Sequence, residues 1–275
     1  MQQSIAGEST PPPWACSIFA TLADPDSDVL GRNFDWEFSP ALLLFTDPAD
    51  GYASASMVDL AYFFDPTTVA RLTELELSER SPLLNTPLMP FDGMNERGLA
   101  IGKAAVPDSR ATVNPNLESV GSLQIIRTIL DHAASVEEAL AIMSGVNITW
   151  DGGPPLHYLI ADSKGAAALV EFKAGEMVVF TNTDPWHQAT NFQLSDTGGP
   201  TEGICRRYEL LTERLQEKQG DLTPGEAMEL LADVSQTSTQ WSVVYQLHTG
   251  EIAIALDRMY SQLHTFQLEN PTPEN

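Results

Sequence analysis

Hydrophobic positions along the chain follow two periods, which alternate in blocks. In the first block, short apolar runs bounded by Pro, Gly and Asp predominate, and residues 16–22, 29–36, 41–45 and 52–63 read as strands. Residues 67–77 have a helical look. A Pro-rich loop leads from them to Phe91-Asp92-Gly93-Met94-Asn95-Glu96-Arg97-Gly98-Leu99-Ala100-Ile101-Gly102, a turn followed by a strand. Helical spacing then takes over. Leu123, Ile126, Ile129 and Leu130 mark a helix over 117–134, and the capping box Ser135-Val136-Glu137-Glu138 opens a second, to about residue 143. After the break at Gly152-Gly153-Pro154-Pro155, strands are predicted over 157–162, 166–172 and 176–181, with Gly-containing turns between them. Residues 206–219 form an amphipathic helix through Leu210, Leu211 and Leu215. Thr223-Pro224-Gly225-Glu226 caps another, to about residue 234, and strands over 241–248, 251–257 and 264–268 close the chain.

Strands, helices, strands, helices, strands: that order suits an α+β fold with helices packed outside paired sheets, rather than an alternating parallel sheet. The chain of 275 residues can bury a full core. No repeat or linker splits its body, so residues 16–275 read as a single domain. Residues 1–15, polar and carrying Ser9-Thr10-Pro11-Pro12-Pro13, read as a leader or propeptide. No apolar run reaches the length of a membrane-spanning helix. The start lacks a basic region followed by an apolar one. As it stands the chain therefore reads as cytoplasmic, and a signal peptide already removed would make it periplasmic or secreted.

Charge narrows the function classes. The net charge is -24, from 14 Lys plus Arg against 38 Asp plus Glu, which argues against nucleic-acid and anionic-membrane partners. The two cysteines, Cys16 and Cys205, do not make a disulfide scaffold. The histidines (His132, His157, His187, His248 and His264) show no metal-ligand spacing, so neither a metal nor a cofactor is expected.

The candidate chemistry begins at Cys16. It opens the first strand, and the second closes on Gly31-Arg32-Asn33-Phe34-Asp35-Trp36, beyond the turn Asp24-Pro25-Asp26-Ser27-Asp28. A hairpin brings these ends together, so thiol, guanidinium and carboxylate meet at one end of a sheet. A thiol beside a fixed cation and a fixed acid reads as an activated nucleophile. If the Ala15–Cys16 bond is cut, Cys16 also gains an α-amine, which titrates near ~8, close to the thiol's ~8.5. One residue then holds nucleophile and base, and no catalytic His is needed.

With these features the chain resembles the choloylglycine hydrolase and penicillin V acylase family of N-terminal-nucleophile hydrolases, related to acid ceramidase and the isopenicillin N acyltransferases. The resemblance rests on Cys16 with the 31–36 segment at the family's spacing, Asp92-Gly93-Met94-Asn95-Glu96-Arg97-Gly98-Leu99, the hairpin from Leu156-His157-Tyr158 to Val170-Glu171, Phe180-Thr181-Asn182, and Cys205-Arg206-Arg207-Tyr208. It implies a four-layer α-β-β-α fold and hydrolysis of linear, non-peptide C–N amide bonds in small acyl-amide substrates, through a Cys16 thioester after autocatalytic release of residues 1–15. It further implies Arg32 and Asp35 as supports of Cys16, Asn182 as the oxyanion donor and Arg206 as the residue bracing the cluster, with Arg207 a rival for that last role. By the same analogy Phe34, Phe91 and Ala105 line the substrate pocket. Two departures stand out. Ala105 occupies the position where bile-salt hydrolases carry a second Asn, and the stretch between Asn182 and Arg206 lacks their long assembly loop, so a homo-oligomer stays open while their tetramer and bile-salt specificity do not carry over. Two rival functions stay open: an acyltransferase using the same acyl-enzyme, and a non-catalytic binding protein that keeps the fold.

Overall fold

The computed structural model describes residues 15–107, 109–111 and 113–269; residues 1–14 of the expected leader lie outside them. At its centre runs the strand Val29–Asp35 (β2), all seven residues of which are buried although three are Arg32, Asn33 and Asp35. A strand covered on both faces can hold such side chains only if each finds a partner. Those partners, drawn from distant parts of the chain, build the site.

β2 lies within a six-stranded sheet ordered Trp186–Ala189 (β12), Ser17–Thr21 (β1), β2, Thr239–Gln246 (β13), Glu251–Leu256 (β14) and His264–Gln267 (β15). A seven-stranded sheet faces it, ordered Glu176–Thr181 (β11), Ala167–Lys173 (β10), Leu156–Asp162 (β9), Leu99–Ala105 (β6), Asp92–Asn95 (β5), Ser54–Asp59 (β4) and Ala41–Thr46 (β3). Within both sheets neighbouring strands are antiparallel. The expected hairpin forms, with Ile18 opposite Arg32 and Ser17 opposite Asn33.

Period-two alternation sorts the side chains into three cores. Between the sheets, Ile18, Ala20, Leu30, Phe34 and Trp241 pack against Ala100, Ala104, Leu159 and Ala161. The outer face of the seven-stranded sheet, through Leu99, Ile101, Tyr158 and Ile160, buries the apolar stripes of Gln124–His132 (α2) and Val136–Ser144 (α3). The outer face of the six-stranded sheet, through Phe19, Val29, Val244 and Ala255, does the same for Arg206–Glu217 (α5) and Pro224–Asp233 (α6). The result is the expected α-β-β-α sandwich. Pro66–Val69 (α1) and Leu194–Thr197 (α4) are single helical turns.

Four local expectations are corrected. Residues 67–77 do not continue as a helix beyond α1: Leu77 is 84% exposed, and without a face to bury a short helix does not propagate. The strand expected over 52–63 stops at Asp59, whose carboxylate accepts the N–H of Ala61 and caps a 3-10 turn, Leu60–Tyr62. The helix expected from 117 begins at Gln124, because Ser119–Gly121 (β7) pairs in parallel with Asn147–Thr149 (β8). Strand β12 was not anticipated: its Trp-His-Gln-Ala sequence is half polar and only four residues long, and β1 supplies the edge it pairs with.

Candidate active site

Cys16 stands one residue before β1, at the open end of the hairpin, and is 1% exposed. Alternation puts its side chain on the inter-sheet face with Ile18, the face to which Arg32 also belongs. Arg32 Nη2 lies 4.0 Å from Cys16 Sγ. The rest of the guanidinium is fully used: Nη1 donates to Asp92 Oδ2 and Nε to the Lys103 carbonyl at 3.1 Å. Asp92 also accepts from the Tyr245 hydroxyl at 2.5 Å and from Trp241 Nε1 at 3.4 Å. A buried cation with a matched carboxylate and a carbonyl keeps its charge and its orientation. Gly102 makes room for it, since a Cβ there would stand 3.1 Å from Arg32 Cδ.

Asp35 points the other way. By alternation it lies on the face of β2 opposite Arg32, at the strand end, where its side chain meets Thr239 rather than the thiol. Its carbonyl receives the N–H of Ala15 at 3.4 Å. Thr239 donates its hydroxyl to Oδ1, while Oδ2 is buried without a partner among the described residues. Burial pushes this carboxyl up to about 6, against the pull of the Thr239 hydrogen bond and the charges of Arg207 and Arg32.

The bracing arginine is Arg207. Its Nη1 donates to the Cys16 carbonyl and, at 2.9 Å, to Ser17 Oγ; its Nη2 donates to Asn191 Oδ1 at 3.0 Å. Asn191 in turn donates from Nδ2 to the Ala105 carbonyl at 2.8 Å. Arg206, the residue carried over by resemblance, is exposed: both start α5, and successive helical positions point about 100° apart, so only one of the pair can face β1. The Ala105 side chain joins the core under α2 and α3, and its contribution to this cluster is a carbonyl.

Asn182 is not brought to Cys16. Its Nδ2 donates to the carbonyls of Gly165 and Asp184 and its Oδ1 accepts the N–H of Ala167, so the side chain clasps the turn between β9 and β10. That turn follows Asp162, which pairs with Leu99 at the start of β6, whereas Lys103 and Ala105 at the other end of β6 touch the Cys16 cluster. Six residues of strand, roughly 20 Å, separate the two ends. Sequence reading passed over Asn191 and Asp92. Asn191 lies two residues past Ala189, the β12 residue paired with Ile18, which is what sets it opposite Cys16.

A cavity of about 340 Å³ adjoins this cluster. Phe34 and Phe91 are in its wall with Trp36, Leu123, Trp150 and Lys103, whereas Ala105, the third expected pocket residue, is not. Phe34 stacks on Trp241 at 4.1 Å and meets Phe91 edge-on at 5.2 Å. Lys103 Nζ lies 4.1 Å from the Phe91 centroid and 5.1 Å from that of Phe34. Burial, followed by the charge of Arg32, lowers the Lys103 ammonium to about 7.

The family model of linear amide C-N hydrolases, choloylglycine hydrolase family, matches residues 16–195. The chain belongs to this family. It is an amidohydrolase of the N-terminal-nucleophile type, and its fold is that of solved members. A mutant of the conjugated bile acid hydrolase from Clostridium perfringens superposes with a TM-score of 0.63 at 17% identity, covering 94% of this chain and 93% of that one. A second variant of the same hydrolase gives 0.65 at 16% identity, with 92% of each chain covered. Penicillin V acylase from Agrobacterium tumefaciens gives 0.59 at 15% identity, covering 88% of this chain and 83% of that one. No curated protein sequence matches the chain significantly. Both cysteines are free, and among the described residues no helix is long and apolar enough to cross a membrane.

Proposed function

We propose that Cys16 becomes the N-terminal residue of the working enzyme and hydrolyses small-molecule acyl amides through a thioester. One observation carries this reading: Asp35 Oδ2 is a buried carboxylate oxygen without a partner among the described residues, on the residue whose carbonyl holds the N–H of Ala15. Burying an unpaired carboxylate is costly. Cutting the Ala15–Cys16 bond creates an α-ammonium at the place where a partner is lacking. That the family match begins at Cys16 supports the same cut.

In the uncut chain, Cys16 Sγ attacks the Ala15 carbonyl carbon. The C–N bond breaks, the nitrogen of Cys16 takes up the thiol proton, and water hydrolyses the resulting thioester, which frees residues 1–15 with a carboxyl end and restores the thiol. In the mature enzyme the α-amine accepts the thiol proton as the Sγ–C bond to the substrate carbonyl forms. Asp35 holds the resulting ammonium. The negative charge on the tetrahedral oxygen calls for N–H donors. Asn191 supplies one: a single N–H of its amide serves the Ala105 carbonyl, and the other has no acceptor among the described residues. The ammonium returns its proton to the leaving amine as the C–N bond breaks. Water then attacks the thioester, releases the acid and reprotonates the thiol. Arg207, on the Cys16 carbonyl, fixes the main chain from which thiol and amine both project.

The test is mass spectrometry of the active protein together with turnover of a panel of acyl amides. The expected chain begins at Cys16, and Cys16→Ala removes both processing and hydrolysis. Full activity from a chain that still carries residues 1–15 would sink this mechanism.

A further inference from the structure

Lys103 is 7% exposed and lines the cavity beside Cys16. Among the described residues no carboxylate forms an ion pair with its ammonium and no acceptor takes a hydrogen bond from it. The nearby acids are occupied: Asp92 by Arg32, Tyr245 and Trp241, and Asp59 by the N–H of Ala61. Its closest contacts are the faces of Phe91 at 4.1 Å and Phe34 at 5.1 Å, while Asp92 and Asp59 act on it only through their charge, from beyond ion-pair distance. Cation–π contact returns only part of what desolvating an ammonium costs. A buried cation without an ion-pair partner among the described residues, in a cavity with five aromatic residues in its wall, is what remains of a site whose anion is brought in by a ligand. The cavity mouth carries the opposite sign, with Asp151 exposed on its wall, so an anionic group is favoured at the Lys103 end alone.

We propose that this cavity is a subsite for a substrate arm that ends in a carboxylate, held by Lys103 between the rings of Phe34 and Phe91. The word substrate rests on the hydrolase reading; the carboxylate subsite does not. The anion has two chemical sources, the acyl arm or the amine arm of an amide, and both present the same group to Lys103.

Binding can be read without turnover in Cys16→Ala protein made with residue 16 as its N-terminus, because Trp36 and Trp150 line the cavity and report on its occupancy by fluorescence. Two probe pairs separate the sources: a six-carbon ω-carboxyalkanoyl anilide with its methyl ester, and hexanoyl 4-aminobenzoate with its methyl ester. At pH 6.5 one acid is expected to bind at least tenfold more tightly than its ester, and the pair that shows the difference identifies the arm. Lys103→Met should abolish that preference while leaving the ester within about twofold, and Lys103→Arg should retain it. Equal binding of acid and ester in both pairs, or no binding of either acid at millimolar concentration, overturns the subsite; this measurement needs no Lys103 variant to fold. An acid preference in a protein whose Cys16 form hydrolyses no amide would leave the subsite standing and reject the function. Hydrolysis without any acid preference would do the reverse.

Discussion

Arg32 and Asp92 form an ion pair sealed from solvent on both sides, and the free arm of that guanidinium is the one that faces Cys16 Sγ at 4.0 Å. The carboxylate is thus the anchor of the cation beside the nucleophile. Asp92→Asn sets an amide N–H among three donors (Arg32, Tyr245 and Trp241), leaving Arg32 buried and unpaired. Breaking a buried pair from one side costs about 3–5 kcal/mol. Urea unfolding should show a loss of this size, and residual folded protein should turn over slowly because Arg32 is no longer aimed at the thiol. Unchanged stability would mean that the pair is not held as described.

The two arginines that open α5 should separate cleanly. Arg207→Met removes the donors to the Cys16 carbonyl, Ser17 and Asn191, and is expected to lower kcat by at least a hundredfold; Arg206→Met, at an exposed position, should leave kcat within twofold. Stability is the control: truncating an exposed arginine shifts it within about 0.5 kcal/mol. Equal losses in the two variants would remove Arg207 from its bracing role.

This pair also marks where sequence reading stops. The layers were legible because period-two and period-3.6 patterns are local, and the approach of Arg32 to Cys16 because a hairpin fixes which residues meet; Asp35, expected beside them, turns to the opposite face by strand alternation. What failed depends on facing and register. Arg206 and Arg207 differ by one helical position, and only packing of Leu211 and Leu215 against the sheet decides which turns inward. Asn182 ends a strand as expected, yet the pairing of Leu99 with Asp162 sends that end away from Cys16. Asn191 was hidden behind β12, a strand too short and too polar to announce itself. Asp92 looked like a turn residue; its role appears only when β13 delivers Trp241 and Tyr245 to it. Lys103 lay in plain view one residue past a predicted strand, and nothing local distinguishes a buried lysine from a solvated one.

Asn191 and Asn182 give a second contrast. Removing one oxyanion donor costs about 10²–10³ in kcat. Asn191→Ala should fall in that range with folding intact. Asn182→Ala removes a turn clasp and should lower thermal stability, with kcat per folded molecule held within about threefold. The opposite ranking in single-turnover acylation rates would return the oxyanion role to Asn182.

Asp35 makes the stability of the uncut chain depend on pH in a direction that can be worked out. Its carboxyl sits at about 6 in the folded uncut chain against an ordinary 3.8, so the folded form holds the proton more tightly than the unfolded one. The stabilising contribution is therefore complete below 3.8 and is lost as pH rises through about 6, a change on the order of 3 kcal/mol. In uncut Cys16→Ala protein, Asp35→Asn should accordingly gain stability relative to its parent on going from pH 4.5 to pH 7.5. A chain made with residue 16 as its N-terminus should lose this dependence, because an α-ammonium paired with Asp35 keeps its carboxyl ionised across that range: there Asp35→Asn should change little relative to its parent between pH 4.5 and pH 7.5, and in the Cys16 enzyme it should lose activity. Denaturant curves at the two pH values, on both forms, decide the matter. An equal gain in both would mean that Asp35 is a structural acid, indifferent to whether Cys16 begins the chain.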